Sequence, residues 1–237
     1  MVQVPSPETD SHVILPLGEF HVAALQQTPE TQGMVAAFQT TQTTLLTAAR
    51  ATEDAARALV GPRVAVRFAE YALEQVLRST ANAAHDADNN QSTGPAFRSV
   101  FPGGLEAETS PRGASQLRSA ADVRTRLANQ PAAAGLRATF LPRLDAAIAD
   151  FGTKLDTRTA AGRALGEAQA AESGARESWV AHYDGNAGAV RNLFPRNRAR
   201  QELYFDEFRG RGARRATDDD APPALPPISG AGSPTEG

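Results

Sequence analysis

The chain has 237 residues, 41% of them hydrophobic and only 6% aromatic, and a formal net charge of −3. This charge argues against a general polyanion binder. The absence of cysteine excludes disulfides, zinc–thiolate and iron–sulfur centres and Cys nucleophiles. Ala supplies much of the apolar fraction, whereas Val, Ile and Tyr are sparse. That balance favours closely packed helices over sheets.

Residues 1–27 read as an N-terminal arm. Their one apolar run, Val13-Ile14-Leu15-Pro16-Leu17, is short and broken by proline, so an extended segment pinned to the helices is expected, with a short helix over 19–26. The first ten residues lack a basic stretch followed by an apolar core, which argues against a secretory signal. No stretch approaches the ~18 apolar residues of a membrane span. A cytoplasmic location is the resulting expectation.

Thr28-Pro29-Glu30 has the chemistry of a helix start: a hydroxyl, a proline for the first turn and a carboxylate near the positive end of the dipole. From there Met34, Phe38, Leu45, Ala48, Ala51, Ala55 and Leu59 recur at helical spacing. Gly61-Pro62 interrupts the pattern, as either a kink or a hairpin turn. It resumes through Val64, Phe68, Tyr71, Leu73, Val76 and Leu77. Residues 85–94 read as polar loop, and 115–129 as a short helix carrying Leu117, Val123 and Leu127.

Gln130-Pro131 opens a second long element, with Leu136, Phe140, Leu144, Ile148, Phe151, Leu155 and Leu165 on one stripe. Pro142 is expected to kink or restart it. Ala168, Ala175, Trp179 and Tyr183 extend the stripe, Gly185 and Gly188 weaken its end, and a last short helix is expected over 195–208. Beyond Arg209 the composition turns to Arg, Gly, Asp and Pro, and 210–237 reads as a disordered tail.

Two heptapeptides match. Ala96-Phe97-Arg98-Ser99-Val100-Phe101-Pro102 shares Ala, Arg, Phe and Pro, at the same spacing, with Ala189-Val190-Arg191-Asn192-Leu193-Phe194-Pro195. Each follows a long amphipathic stretch, which suggests duplication of a helical unit ending in a Phe-Pro corner. The fold class expected is all-α: long amphipathic helices in an internally duplicated four-helix-bundle or antiparallel coiled-coil arrangement. The bundle would cover 28–209, with units of about 28–112 and 113–209. At each corner proline forces the preceding Phe out of the helix, freeing Phe101 and Phe194 to plug the bundle ends. Arg98 and Arg191 suit helix C-termini; a pseudo-symmetric anion site is the functional alternative.

No catalytic motif stands up. Glu70 and Glu74 have no His three residues on, so a di-iron bundle fails. Asp86-x-Asp88-x-Asn90-x-Ser92 begins like a calcium loop but has Gln91 and Phe97 where Gly and a bidentate acid are required, so it reads as a linker. Phosphate-binding glycine loops and a nucleophile elbow are absent. His182 and Asp184, beside Trp179 and Tyr183, form the best local cluster for acid–base work; the structural alternative makes Trp179 and Tyr183 core and His182 rim.

Arg209-Gly210-Arg211-Gly212, with Arg214 and Arg215, is basic enough to touch phosphates, but Asp218, Asp219 and Asp220 follow at once. The sequence therefore points to a non-catalytic scaffold or protein-interaction protein, with a protein partner or self-association and no cofactor. The four histidines lie far apart in sequence, and no spacing brings the N-terminal pair, His12 and His21, to the others. A ligand-binding bundle using Arg98, Arg191, His182, Asp184, Trp179 and Tyr183 is the first rival, and nucleic-acid contact through the Arg-Gly segment the second.

Overall fold

A computed structural model describes residues 3–91, 94–206 and 208. The Arg-Gly run and the expected tail at 210–237 lie outside the described residues. Among the described residues the chain is all-α, with no strand. Its helices are α1 (Ser11–Leu25), α2 (Gln32–Ala87), α3 (Pro95–Val100), α4 (Leu105–Thr109), α5 (Ala114–Asn129), α6 (Arg137–Leu193) and α7 (Arg198–Glu202); a 3-10 turn, Pro131–Leu136, leads into α6.

The two long helices, of 56 and 57 residues, dominate. At ~1.5 Å per residue each spans about 85 Å. They run antiparallel: Phe38 of α2 packs on Trp179 and Tyr183 of α6, whereas Leu73 and Leu77 share a core with Leu144 and Phe151. The inward positions of α2 step by three and four residues, through Phe38, Gln42, Leu45, Ala49, Thr52, Ala55, Leu59, Pro62, Val66, Ala69 and Leu73. This is the spacing that keeps one stripe facing a partner helix.

Burial concentrates at the two ends. One core combines the C-terminal half of α2, the N-terminal half of α6, α3 and α5. The other combines the N-terminal half of α2, the C-terminal half of α6, α1 and the segment around Tyr204 and Phe205. Between them, no residue from 50 to 65 on α2 or from 156 to 174 on α6 is buried. The middle of the molecule is two helices thick.

The N-terminal segment departs from the sequence reading. It is not extended: α1 begins at Ser11, where the Asp10 carboxylate accepts the His12 N–H at 2.8 Å. Pro16 sits inside this helix and forfeits one backbone bond, offset by burial of Ile14, Leu15, Leu17 and Leu25. The expected start at Thr28 also moves. Residues 28–31 form a turn in which the Thr31 hydroxyl donates to the Leu25 carbonyl at 2.7 Å, and α2 begins at Gln32.

Gly61-Pro62 neither turns the chain nor ends the helix, which continues through both residues. The same holds for Pro142, Gly185 and Gly188 in α6. The expected loop at 85–94 is shorter, since α2 reaches Ala87 and α3 begins at Pro95. The last helix is five residues instead of the 195–208 expected. Val64, Phe68 and Tyr71, expected on the inner stripe, are exposed, and Val66 and Ala69 take their place in the core; Leu73 and Leu77 of the same stripe are buried as expected.

The two Phe-Pro corners have nearly the same backbone. Phe101 has φ −122° and ψ 67°, Phe194 φ −122° and ψ 60°, and each N–H donates to the carbonyl four residues back, at 2.8 and 3.1 Å. Each carbonyl accepts from the N–H three residues on, Gly104 or Asn197, and a five-residue helix starts at the next position. Both rings are buried, Phe101 in one core and Phe194 in the other. The first corner ends the short α3 and the second ends the long α6.

Candidate functional site

The densest cluster of aromatic and polar side chains lies in the core at the α1 end. His21 of α1 is fully buried, with Phe38, Tyr183 and Phe205 around its ring at centroid distances of 4.8, 5.0 and 4.8 Å. Its Nδ1 is 2.7 Å from the Tyr204 carbonyl oxygen, so Nδ1 carries the proton and donates. Nε2 is then the acceptor for the Asn186 amide at 3.1 Å. Both nitrogens are satisfied by a neutral ring. Burial accordingly pushes the pKa of His21 down to about 4, with His182 adding repulsion and the Tyr204 carbonyl partly countering it.

By sequence His21 belongs to an N-terminal arm remote from the other histidines. In the structure α1 folds back on α2, and the rings of His21 and His182 both meet Phe38 edge-on, at 4.8 and 5.3 Å. The signal was in the sequence: Ile14, Leu17, His21 and Leu25 step by three and four residues, the spacing of one helical face.

Trp179 and Tyr183 are both buried and stack at 4.7 Å. Burial raises the Tyr183 phenol above its ordinary pKa, and Asp206 adds to the effect, so the group stays protonated through neutral pH. The Trp179 indole N–H donates to Gln42 Oε1 at 2.6 Å, while Gln42 Nε2 donates to the Leu15 carbonyl at 2.7 Å. One buried amide thus joins α1, α2 and α6.

His182 is half-buried, its Nδ1 2.8 Å from the Thr41 hydroxyl. Asp184 is exposed. Arg191 is exposed and donates from Nε to the Ala187 carbonyl at 3.0 Å, near the C-terminus of its own helix. Arg98 is exposed on α3, in the opposite half of the molecule. His182 thus lies with Trp179 and Tyr183, but Arg98 and Arg191 do not converge on one site.

Asp88, the central residue of the calcium-like run, accepts the N–H groups of Ala96 and Phe97 at 3.1 and 2.8 Å. Its carboxylate serves the first turn of α3. Among the described residues, no three His, Asp or Glu side chains gather where a metal ion could sit.

A second feature lies on the side of α2 facing away from α6. Val60, Val64, Phe68 and Tyr71 are exposed there, the two rings by 73% and 63%. They follow one another at four, four and three residues, so they form one outer stripe. Beside it an open groove of about 530 Å³ runs between α2 and α6, lined by Arg63, Arg67, Arg158 and Gly162 among others. None of these three arginines makes an ion pair among the described residues. Glu70, also on the groove, is 3.9 Å from Arg112. The surface is therefore apolar, aromatic and cationic at once.

Comparison with protein-family models, curated proteins and solved structures finds no match.

Proposed function

We propose that this protein is a non-catalytic helical scaffold: an antiparallel coiled-coil spacer that holds two small helical heads apart and takes an acidic, apolar polypeptide segment on the outer face of α2. The observation that carries the reading is the uncovered stripe Val60, Val64, Phe68 and Tyr71 with Arg63 and Arg67 beside it. Contiguous exposed apolar side chains on a soluble surface mark interaction sites, and aromatic residues with arginine are the side chains that dominate such contacts.

The rival ligand-binding reading has less support. Its polar candidates lie apart, and the buried His21 is saturated by Tyr204 and Asn186. The repeated Phe-Pro corners, with a long helix in each half, support duplicated units of about 28–112 and 113–209. The similar lengths of α1 and α5, 15 and 16 residues, extend the first unit toward the N-terminus. No helix among the described residues is long and apolar enough to cross a bilayer.

The test is a photo-crosslinking amino acid in place of Phe68 in the full chain, in its native cells. The expected result is a reproducible adduct whose crosslinked segment is acidic and apolar, lost when Arg63 and Arg67 are both changed to Glu. Adducts indistinguishable from those of a probe at Thr43, on the exposed surface of the α1 half, would overturn the reading.

A further inference from the structure

We propose that the groove midway along the two long helices is a binding site for an oligophosphate anion, held by Arg63 and Arg67 of α2 and Arg158 of α6. The site does not depend on the outer apolar stripe, although Arg63 and Arg67 border both surfaces.

Register brings the three arginines together. Gln42 of α2 meets Trp179 of α6 at one head, and Leu59 and Gly162 line the groove together. The helices run antiparallel with the same rise per residue, so Arg63 stands level with Arg158. Arg67 lies one turn farther along α2, about 6 Å away. Helices packed along a seam have axes only ~8–10 Å apart, which puts all three guanidinium groups within reach of one ligand. Gly162 adds no side chain to the α6 wall, and the space where a Cβ would point is open. The resulting groove of about 530 Å³ falls within the ~300–1,000 Å³ usual for small-molecule sites.

Charge selects the ligand. The chain carries a net −3, yet residues 59–70 and 154–163 hold five basic side chains against two acids. Asp156 does not line the groove. Glu70 does, but its carboxylate accepts the Gly113 N–H at 3.4 Å and is 3.9 Å from Arg112. Elsewhere Arg57, Arg78, Arg124, Arg126, Arg198 and Arg200 each pair with a carboxylate; the groove arginines have no such partner among the described residues. Like charges facing one another across a seam repel, and a bound anion turns that repulsion into a clamp.

Guanidinium groups grip phosphate oxygens two at a time. One phosphate group carries at most about two negative charges at neutral pH, too few for three cations. Two or three linked phosphates supply the charge. The ligand is therefore an inorganic oligophosphate or the phosphate chain of a nucleotide. Bound there, it bridges α2 and α6 where the molecule is two helices thick and no residue is buried on α2 from 50 to 65 or on α6 from 156 to 174.

The experiment titrates the full chain with inorganic triphosphate, in chelator and at constant ionic strength, and follows it by calorimetry and hydrogen exchange. The expected result is one site per chain and slower amide exchange within 59–70 and 154–163. Arg158→Ala should weaken binding by about tenfold or more. Arg50→Ala, at an exposed arginine of α2 outside the groove, should leave it unchanged. Sulfate binding as tightly as triphosphate would reveal an adventitious ion only and overturn the proposal. Equal losses in the Arg158 and Arg50 variants, or no slowing of exchange at saturating triphosphate, would overturn it too. ATP distinguishes the sources: affinity equal to that of triphosphate assigns the phosphate chain alone, and tighter binding assigns a nucleotide. Arg158 lies on α6 and not on the outer stripe, so failure of the triphosphate titration with Phe68 crosslinks intact removes the anion site alone, and the converse removes only the polypeptide reading.

Discussion

Two buried glutamines define what a single residue does in this fold. Gln42 satisfies the Trp179 indole and the Leu15 carbonyl, whereas both amide atoms of the fully buried Gln116 have no partner among the described residues. A buried polar group with partners is expensive to remove and one without them is expensive to keep. Gln42→Met should therefore destabilise by about 2 kcal/mol, and Gln116→Met should be neutral or stabilise by about 1 kcal/mol, both read from urea midpoints. Equal losses would show that Gln116 is paired in solution. His21 supplies a pH dependence. Its folded pKa, about 4, lies below the ordinary 6.5, so between these values the unfolded chain takes up a proton that the folded chain refuses. Stability should fall as pH drops from about 6.5 to about 4, by about 3 kcal/mol, and this contribution should level off below 4. Subtracting the profile of His21→Phe isolates the histidine; identical profiles would contradict the assignment. Trp179 and Tyr183 were legible in the sequence as core because their size and spacing leave little choice. The partners of Gln42 and His21 were not, since they come from α1, α6 and the turn at Tyr204, far apart in the chain.

Helix ends are set by contacts that the local sequence does not contain. Proline has two uses, and sequence alone does not separate a helix breaker from a helix passenger. Pro62 and Pro142 are passengers: α2 and α6 continue through them, and packing along a long partner helix offsets the one backbone bond each forfeits. Alanine blurs register in the same way. The stripe expected through Ala48 and Ala51 falls one residue before the inward positions Ala49 and Thr52, because an Ala-rich helix offers little contrast between faces. Phe68 and Tyr71 misled for the opposite reason: aromatic residues at helical spacing read as core, and here they lie on the face opposite α6. The polar loop after α2 was recognised, but not its use. Asp88 caps α3 from eight and nine residues away, and a Cβ on Gly94 would collide with the Asp88 carboxylate. Asp88→Ala should cost about 1 kcal/mol, the usual value of a helix cap. Gly94→Ala should cost a similar amount by displacing the same carboxylate, and the double variant little more than either single one. Thermal melts of the three variants check this; additive losses would mean that the two residues act separately.

At the scale of the molecule, the all-α class followed from composition, and the two long elements from periodicity. The division into two cores did not, because it depends on where α1 and α5 fold back. α5 covers the α6 side of one head, and α1 covers the α2 side of the other. Between the heads the seam consists of half-buried Thr52, Ala55 and Leu59 on α2 and Ala161, Leu165 and Ala168 on α6. Small side chains on a two-layer seam remove little apolar area from water, so this segment contributes far less per residue than either head. Weak coupling through the middle implies that each head opens on its own, in cooperative units smaller than the whole chain. Leu73 and Leu45 are fully buried, one in each head. Truncating either to Ala should remove about 2–4 kcal/mol, but the loss should stay local. Under hydrogen exchange, Leu73→Ala should speed amide exchange in α5 and the N-terminal half of α6 and leave α1 and the C-terminal half of α6 unchanged. Leu45→Ala should give the reverse. Exchange that accelerates equally at both ends for either variant would show one cooperative unit, and the spacer would then have to transmit stability along its whole length through a seam of alanines.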